Sequence, residues 1–441
     1  MRVLVICSQF PPRPSPESNH ALMLCEKLGQ SGADVHLLTS PLLPAAPRPH
    51  GFTLHPEITS WSWSGAWQLI RAARRIRPDV VLLLYVGWIY GHHPMITFAP
   101  SFLRWSARRI SVVTQFENTQ GGPTLGTFRL LTQWRVAAAL AGGGKFVPKF
   151  GSLLARSDAI IALSQSHAAE IALADSTARA KTVLIPAPPL LRMRTAENGR
   201  TRAEGRALLG LGNQPDTVVL TYFGYVYPGK GVETLLAAMA RLQDQEPASS
   251  RPAYVLVLIG LIVPELQEGM RELVQGLRLK DRVVWLGHQD GEECSTFLWA
   301  SDAAILPFDE GVRMNNSSLA VCATHGLPII TTEGETLEPA FRHNQNVILC
   351  PPRNVAALAA AIESLLVSPG LRRDLGRNAL AMALQHFSWD VTMLATSQVL
   401  QSVHPRRHPA SPPTLRRDLS GIGQENPQAC PRSAQPPSPL A

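Results

Sequence analysis

The chain opens on an unbroken apolar run, Arg2–Cys7, that stops at a polar, proline-rich loop over Ser8–Asn19. Such a run reads as a strand buried on both faces of a parallel sheet. Behind the loop, Leu22, Cys25 and Leu28 share one helical face, Gly32 ends the pattern, and Asp34–Ser40 (DVHLLTS) reads as a second strand. Strand, loop, helix, strand is the grammar of a parallel α/β unit. It continues through predicted strands at Val80–Tyr85, Ile110–Gln115, Asp158–Leu163 and Thr182–Ile185, then lapses over Pro186–Arg200 into linker composition.

The same grammar starts again at Thr217–Phe223. A glycine-rich turn, Gly224–Gly231, leads into a helix whose apolar stripe is Val232, Leu235, Leu236, Met239 and Leu242. Further strands are predicted at Tyr254–Gly260, Val283–Leu286, Ala303–Pro307 and Pro328–Thr332, with helices near Ser318–His325, Asn354–Leu366 and Leu371–His386. The pattern predicts an α/β chain of two Rossmann-like domains, 1–196 and 197–385, with a ligand cleft at their junction. A closing helix over 386–402 is expected to cross back to the first domain. Residues 403–441, rich in Pro, Ser, Arg and Gln, read as a disordered tail.

Length and composition agree with that division. A chain of 441 residues is too long for one core, and 45% hydrophobic against 17% charged residues is enough apolar material for two. The net charge of +8 is unevenly spread. Residues 1–196 hold 20 Lys and Arg against 9 Asp and Glu, whereas 197–402 hold 16 against 22. That asymmetry concerns partners and not fold.

Cysteines 7, 25, 294, 322, 350 and 430 form no Cys-x-x-Cys pair, and several sit in apolar runs. A reduced, cytoplasmic setting is the expectation. No secretory leader is evident, and the longest apolar runs, such as Val80–Tyr90, are too short to span a bilayer.

Two segments carry candidate chemistry. In FGYVYPGKGVETLL, Phe223–Leu236, glycines at 224, 229 and 231 permit unusual backbone angles, and Lys230 stands just before a helix start. A lysine beside exposed helix-start N–H groups cradles phosphate; the competing reading is a Pro-Gly turn with a solvated lysine. In Leu306–Thr332, Asn315, Asn316, Ser317 and Ser318 precede a helix of small residues. Four capping-type residues exceed what one cap requires, and their donors, with Arg313, suit a diphosphate or a sugar hydroxyl. An ordinary capped helix is the alternative.

The order and spacing of several motifs carry a resemblance. They are Phe10-Pro11-Pro12 after the opening strand, DAIIALSQSHAAEI (Asp158–Ile171), KTVLIP (Lys181–Pro186), the turn just quoted, ASDAAILPF (Ala300–Phe308), THGLPIITT (Thr324–Thr332) and FSW (Phe387–Trp389). From Arg2 to about Leu400 the chain resembles the retaining family-4 glycosyltransferases of the GT-B fold. The resemblance implies two facing Rossmann-like domains, a nucleotide-diphosphate sugar held mainly by the second, no cofactor and no metal. Lys230 matches the lysine on the donor diphosphate, and Gly224 and Gly231 match glycines of that turn. Gly287 and His288 fall in the base-binding loop, and Asn316, Ser317, Ser318 and Leu319 occupy the helix start that holds the distal phosphate.

Four positions depart from the family pattern. Tyr225 stands where many members carry arginine. Arg313 and Val321 stand where many carry paired glutamates, although a similar subgroup uses a Gly-x-Arg loop and a serine-rich helix start instead. Phe116 stands where many carry a histidine, with Glu117 beside it at the end of an apolar strand. Glu117 is the candidate catalytic carboxylate, taking the acceptor hydroxyl's proton or binding a sugar hydroxyl; the alternative is a structural carboxylate satisfied by loop N–H groups.

Gln9, Ser15 and His92 are the expected acceptor-side residues. The adjacent His92 and His93 lack metal-ligand spacing and also read as surface loop residues. The expected partners are a nucleotide sugar and a saccharide or lipid-linked acceptor, with transfer at retained configuration. Loss of turnover in a degenerate GT-B protein is the rival reading, and a sugar-nucleotide epimerase is a weaker third. No nucleic-acid recognition motif is present. Arg71, Arg74, Arg75 and Arg77, then Arg104, Arg108 and Arg109, lie near Trp61, Trp63, Trp67 and Trp105. Basic groups with tryptophans suit the anionic inner face of a membrane, against the alternative of a solvated helix face over core tryptophans.

Overall fold

The computed structural model describes residues 1–13, 15–106, 110–122, 147, 149–194, 200–245 and 252–404. The expected domain boundary at 196/197, Arg108, Arg109, Cys430 and the tail beyond 404 lie outside the described residues.

Seven strands form the first sheet: β1 Arg2–Ile6, β2 Asp34–Leu38, β3 Thr53–His55, β4 Val80–Tyr85, β5 Ser111–Phe116, β6 Ala159–Ala162 and β7 Thr182–Leu184. Their order is β3-β2-β1-β4-β5-β6-β7, parallel at every pairing. The second sheet holds β8 Val218–Phe223, β9 Tyr254–Ile259, β10 Val283–Gly287, β11 Ala303–Leu306, β12 Ile329–Thr332 and β13 Ile348–Cys350. It runs β10-β9-β8-β11-β12-β13, again parallel. Both are Rossmann-like, and the strand order reverses between β1 and β4 and between β8 and β11. Open α/β sheets bind ligands beyond the carboxyl ends of strands at such reversals.

The cores follow from the apolar runs. Every side chain of β4 and of β9 is buried, and the predicted stripe from Val232 to Leu242 is wholly inside. Full burial on both faces is what a parallel sheet covered by helices requires. The edge strands β3 and β13, three residues each, have no such run and escaped the sequence reading.

After the helix Pro369–His386, Ser388 caps the helix Trp389–Ser402 by accepting from Val391 N–H. Val399 and Leu400 of that helix are buried in the core that holds β1 and β4. The Ser111 hydroxyl donates to Val403 O at 2.5 Å, and Trp389 Nε1 donates to Pro189 O at 3.0 Å. A further tie runs through Glu338, whose buried carboxylate accepts from Gln165 N–H at 2.6 Å and from Met314 N–H. Burial raises its pKa, and those two N–H donors oppose the rise.

Candidate active site

A cleft with about 1180 Å³ of empty space, its open mouth included, lies beyond the carboxyl ends of β5 and β8. One wall comes from the first sheet and its loops, including Glu17, Asn19, Trp88 and Glu117; the other includes Gly224, Lys230, His288 and Asn316. Its lining combines a lysine, carboxyl, amide and hydroxyl groups with aromatic rings, a mixture that suits a nucleotide sugar.

On the second wall, backbone shape comes first. Gly224 has φ 137°, and a Cβ there would approach the Ser318 hydroxyl to 2.9 Å. Gly231 has φ 69°, and its Cβ would lie 1.9 Å from Pro307 O, so only glycine fits where the turn meets β11. Between them Lys230 projects its ammonium 4.7 Å from the Tyr227 ring centroid and 4.9 Å from that of Phe308. The two rings hold the cation by its attraction to their faces.

Asn316 departs from ordinary capping. Its Oδ1 accepts from Arg313 N–H at 2.6 Å and makes no side-chain cap on the helix Ser317–Thr324. The first-turn N–H groups thus have no side-chain acceptor; those of Ser317 and Leu319 donate to Asn315 O and Asn316 O, and Ser317 and Ser318 line the cleft. Uncapped helix-start N–H groups with a nearby lysine form an anion site.

The opposite wall is built around Glu117. Its Oε2 lies 2.9 Å from His20 Nδ1, and its Oε1 accepts from Gln115 Nε2 at 2.7 Å. The His20 and Glu117 side chains are 1% and 7% exposed. Side-chain donors, and not the loop N–H groups of the sequence reading, therefore satisfy the carboxylate. Each oxygen keeps a lone pair. Phe116 points the other way, into the core between Tyr85 and Phe150.

The family model "Glycosyltransferase Family 4" matches residues 18–188, and "Glycosyl transferases group 1" matches residues 210–382. One model falls on each sheet. The chain belongs to the family-4 glycosyltransferases of the GT-B fold.

Glycogen synthase of Mycobacterium tuberculosis (strain ATCC 25618 / H37Rv) is 27% identical to this glycosyltransferase over 437 residues, spanning 90% of this chain and 94% of its own. A D-inositol 3-phosphate glycosyltransferase of Streptomyces bingchenggensis (strain BCW-1) is 30% identical over 223 residues, 49% of this chain and 46% of its own. Among solved structures, Anabaena Alr3699/HepE in complex with UDP and glucose superposes with a TM-score of 0.64 at 17% identity, covering 90% of this chain and 99% of that one. At that identity the likeness concerns the fold.

Of the residues expected at the glycosyltransferase's site, Glu117, Gly224, Lys230, His288, Asn316, Ser317 and Ser318 line one cleft. Seven others do not. Leu319 is buried in the second core, and Gly231 shapes the turn from behind. Gly287 ends β10 at φ 67°, where its carbonyl accepts from Gly260 N–H at 2.8 Å. Arg313 pairs with Glu310 at 3.1 Å.

On the acceptor side, Ser15 is the N-cap of the helix Pro16–Gln30, accepting from Ser18 N–H at 3.1 Å. His92, at φ 53°, directs Nδ1 at Gly121 O, 3.1 Å away. Gln9 Oε1 is buried without a partner and lies off the cleft wall. The sequence reading missed Glu17, Asn19, Trp88 and Tyr227 on the lining. For Glu17 a signal existed, an acid in the first turn after the loop that leaves β1 at the order reversal.

Proposed function

We propose that this glycosyltransferase moves a sugar from a nucleotide-diphosphate donor to a saccharide or lipid-linked acceptor, with retention at the anomeric carbon and without a metal ion. The observation that carries this reading is the pairing, in one cleft, of the Lys230 ammonium and the uncapped start of the helix Ser317–Thr324 with Glu117 on the facing wall. The first two supply positive charge for a diphosphate, and Glu117 takes the proton of the attacking hydroxyl or holds a sugar hydroxyl. The glycogen synthase relative favours a saccharide acceptor. A thermal-shift panel of UDP-, GDP-, ADP- and dTDP-sugars tests the reading, because a ligand bound by the folded state raises the melting temperature. A panel without a single shift overturns it.

A second reading, binding without turnover, is favoured by Val321 on the cleft wall, where an apolar side chain makes no hydrogen bond to a ribose. Release of free nucleoside diphosphate in the presence of an acceptor decides against it.

We also propose a peripheral position at an anionic membrane surface. Trp67 and Trp105 are 72% and 59% exposed on the neighbouring helices Gly65–Ile76 and Ala99–Ser106, and Trp67 shares its exposed face with Arg71 and Arg74. Trp61 and Trp63 belong instead to the interior, packing on Tyr90 and Phe98. Arg104 is engaged by Asp158 at 2.7 Å and Arg75 by Glu57. Among the described residues, no single helix is long and apolar enough to cross a membrane.

A further inference from the structure

Glu17 is an unexplained group of the cleft. It lies in the first turn of the helix Pro16–Gln30, is 6% exposed, and lines the same cavity as Lys230 and Glu117. Its Oε2 is buried with no hydrogen-bond partner. A carboxyl oxygen kept from water and left unpaired destabilises the fold, more so if charged, so such a group is normally either satisfied or used.

Its surroundings decide which protonation state fits. From β5 comes the Glu117 carboxyl, from the same helix the His20 imidazole and the Ser15 cap, and from the end of β1 the Cys7 thiol, which donates to Glu17 O at 3.8 Å. Across the cleft stands Tyr225, whose phenol is pushed up to about 12, by burial first and by Glu17 second. Glu17 and Tyr225, the latter one residue from Gly224 in the phosphate turn, line the same cleft. Burial, aided by Glu117, raises its own pKa to about 7, against the helix-start N–H, Ser15 and His20. A bound diphosphate brings more negative charge and displaces water, and both changes favour the neutral acid further.

Resting on the donor reading above, we propose that Glu17 is a donor-binding residue that acts as a neutral carboxylic acid, giving its Oε2 proton in a hydrogen bond to an oxygen of the nucleotide sugar, so that donor binding takes up a proton. Where many family members carry arginine at position 225, this chain places a tyrosine, and among the described residues Lys230 is the only lysine or arginine that lines the cleft. A neutral acid on the facing wall supplies a donor without adding a carboxylate's repulsion.

The test is calorimetry of the full chain with UDP-, ADP-, GDP- and dTDP-glucose, whose diphosphate diesters do not titrate between pH 6 and 8.5. At pH 8, titrations in buffers of different ionisation enthalpy should give an uptake approaching one proton for the wild type. Affinity should fall up to tenfold per pH unit above pH 7. Glu17→Gln mimics the neutral acid in shape, so it should bind within about threefold of the wild type at pH 6, keep that affinity to pH 8.5, and take up no proton.

His20→Asn removes the imidazole that the same helix sets beside Glu117, and the uptake should persist in it. That variant keeps the test decisive if Glu17→Gln does not fold. Uptake that survives in Glu17→Gln, or that vanishes in His20→Asn, overturns the role of Glu17. Binding without uptake in the wild type overturns it as well. If none of the four sugars binds, the donor reading fails and takes this inference with it.

Discussion

His20 Nδ1 and Glu117 Oε2 are 2.9 Å apart, joining the helix that follows β1 to the end of β5 across the strand-order reversal of the first sheet. With Gln115 on the other oxygen, the contact fixes the Glu117 carboxyl on the cleft wall opposite Lys230. A side chain held in this way needs no reorganisation when substrate arrives.

Glu117→Gln retains the shape and removes the charge. Transfer should slow at least tenfold, about 1.4 kcal/mol in the barrier, while donor affinity stays near the wild-type value. Steady-state rates with a competent acceptor, read beside calorimetric donor affinity, check this. Full turnover would end any proton-transfer role for Glu117, and a misfolded variant would make it a structural carboxylate.

Lys230→Ala should weaken nucleotide-sugar binding by roughly 1.5–3 kcal/mol, the scale of a charge-assisted hydrogen bond. The lysine is half-buried on a turn, held by Tyr227 and Phe308 with no ion pair among the described residues, so the fold should change little. Calorimetry against the cognate donor measures the loss, and circular dichroism checks the fold. Unchanged affinity would assign the turn to structure alone.

Both sheets were legible because β1, β4, β8 and β9 are nearly continuous apolar runs, and the helix from Val232 repeats its stripe at helical spacing. The three-residue strands β3 and β13 were not, since three residues are too few to set a period; β7, equally short, was legible through the KTVLIP segment. At the site, Lys230, Ser317 and Ser318 were readable from turn and cap chemistry. Asn316 was readable as a cap, but its side chain turns back three residues onto Arg313 N–H, a loop contact that competes with capping. Ser15 carried a cap signal as strong as theirs, and it is spent on its own helix. Glu17 looked like an ordinary first-turn acid; only its burial in the cleft that Glu117 and Tyr225 also line distinguishes it.

Two buried histidines set a pH dependence of stability. His325 directs Nδ1 at Val321 O and Nε2 at the Ser295 hydroxyl, each at 2.8 Å, and burial lowers its pKa to about 4. His167, with Nδ1 unpartnered, is likewise lowered to about 4, chiefly by burial. The folded state thus holds both neutral where the unfolded chain, titrating near 6.5, takes up protons. Their contribution is complete above pH 6.5 and is lost as pH falls toward 4, on the order of 3 kcal/mol for each histidine at most.

Glu17 acts with the opposite sign between 4.5 and about 7, because its folded pKa is raised; its stabilisation is present at low pH and lost as pH rises. Melting temperatures should therefore fall between pH 6.5 and 4.5 more steeply in Glu17→Gln than in the wild type. Adding His325→Gln should flatten that fall. A slope unchanged by His325→Gln would show that the imidazole charges freely in the folded state.

The membrane proposal rests on two tryptophans. Trp67 and Trp105 are the most exposed tryptophans among the described residues, and Arg71 and Arg74 follow Trp67 at helical spacings of four and seven. Each basic residue near an anionic surface contributes about 1 kcal/mol, and tryptophan favours the interface between headgroups and acyl chains. Screening confines surface charges to about 8 Å at physiological ionic strength, so attraction should weaken steeply with salt while the tryptophan contribution does not. The protein should cosediment with anionic vesicles at low salt, release at high salt, and ignore neutral ones. Trp67→Ser with Trp105→Ser should reduce binding at every salt concentration, whereas Arg71→Gln with Arg74→Gln should flatten the salt dependence. Equal sedimentation with anionic and neutral vesicles at low salt would mean that this face is simply solvated.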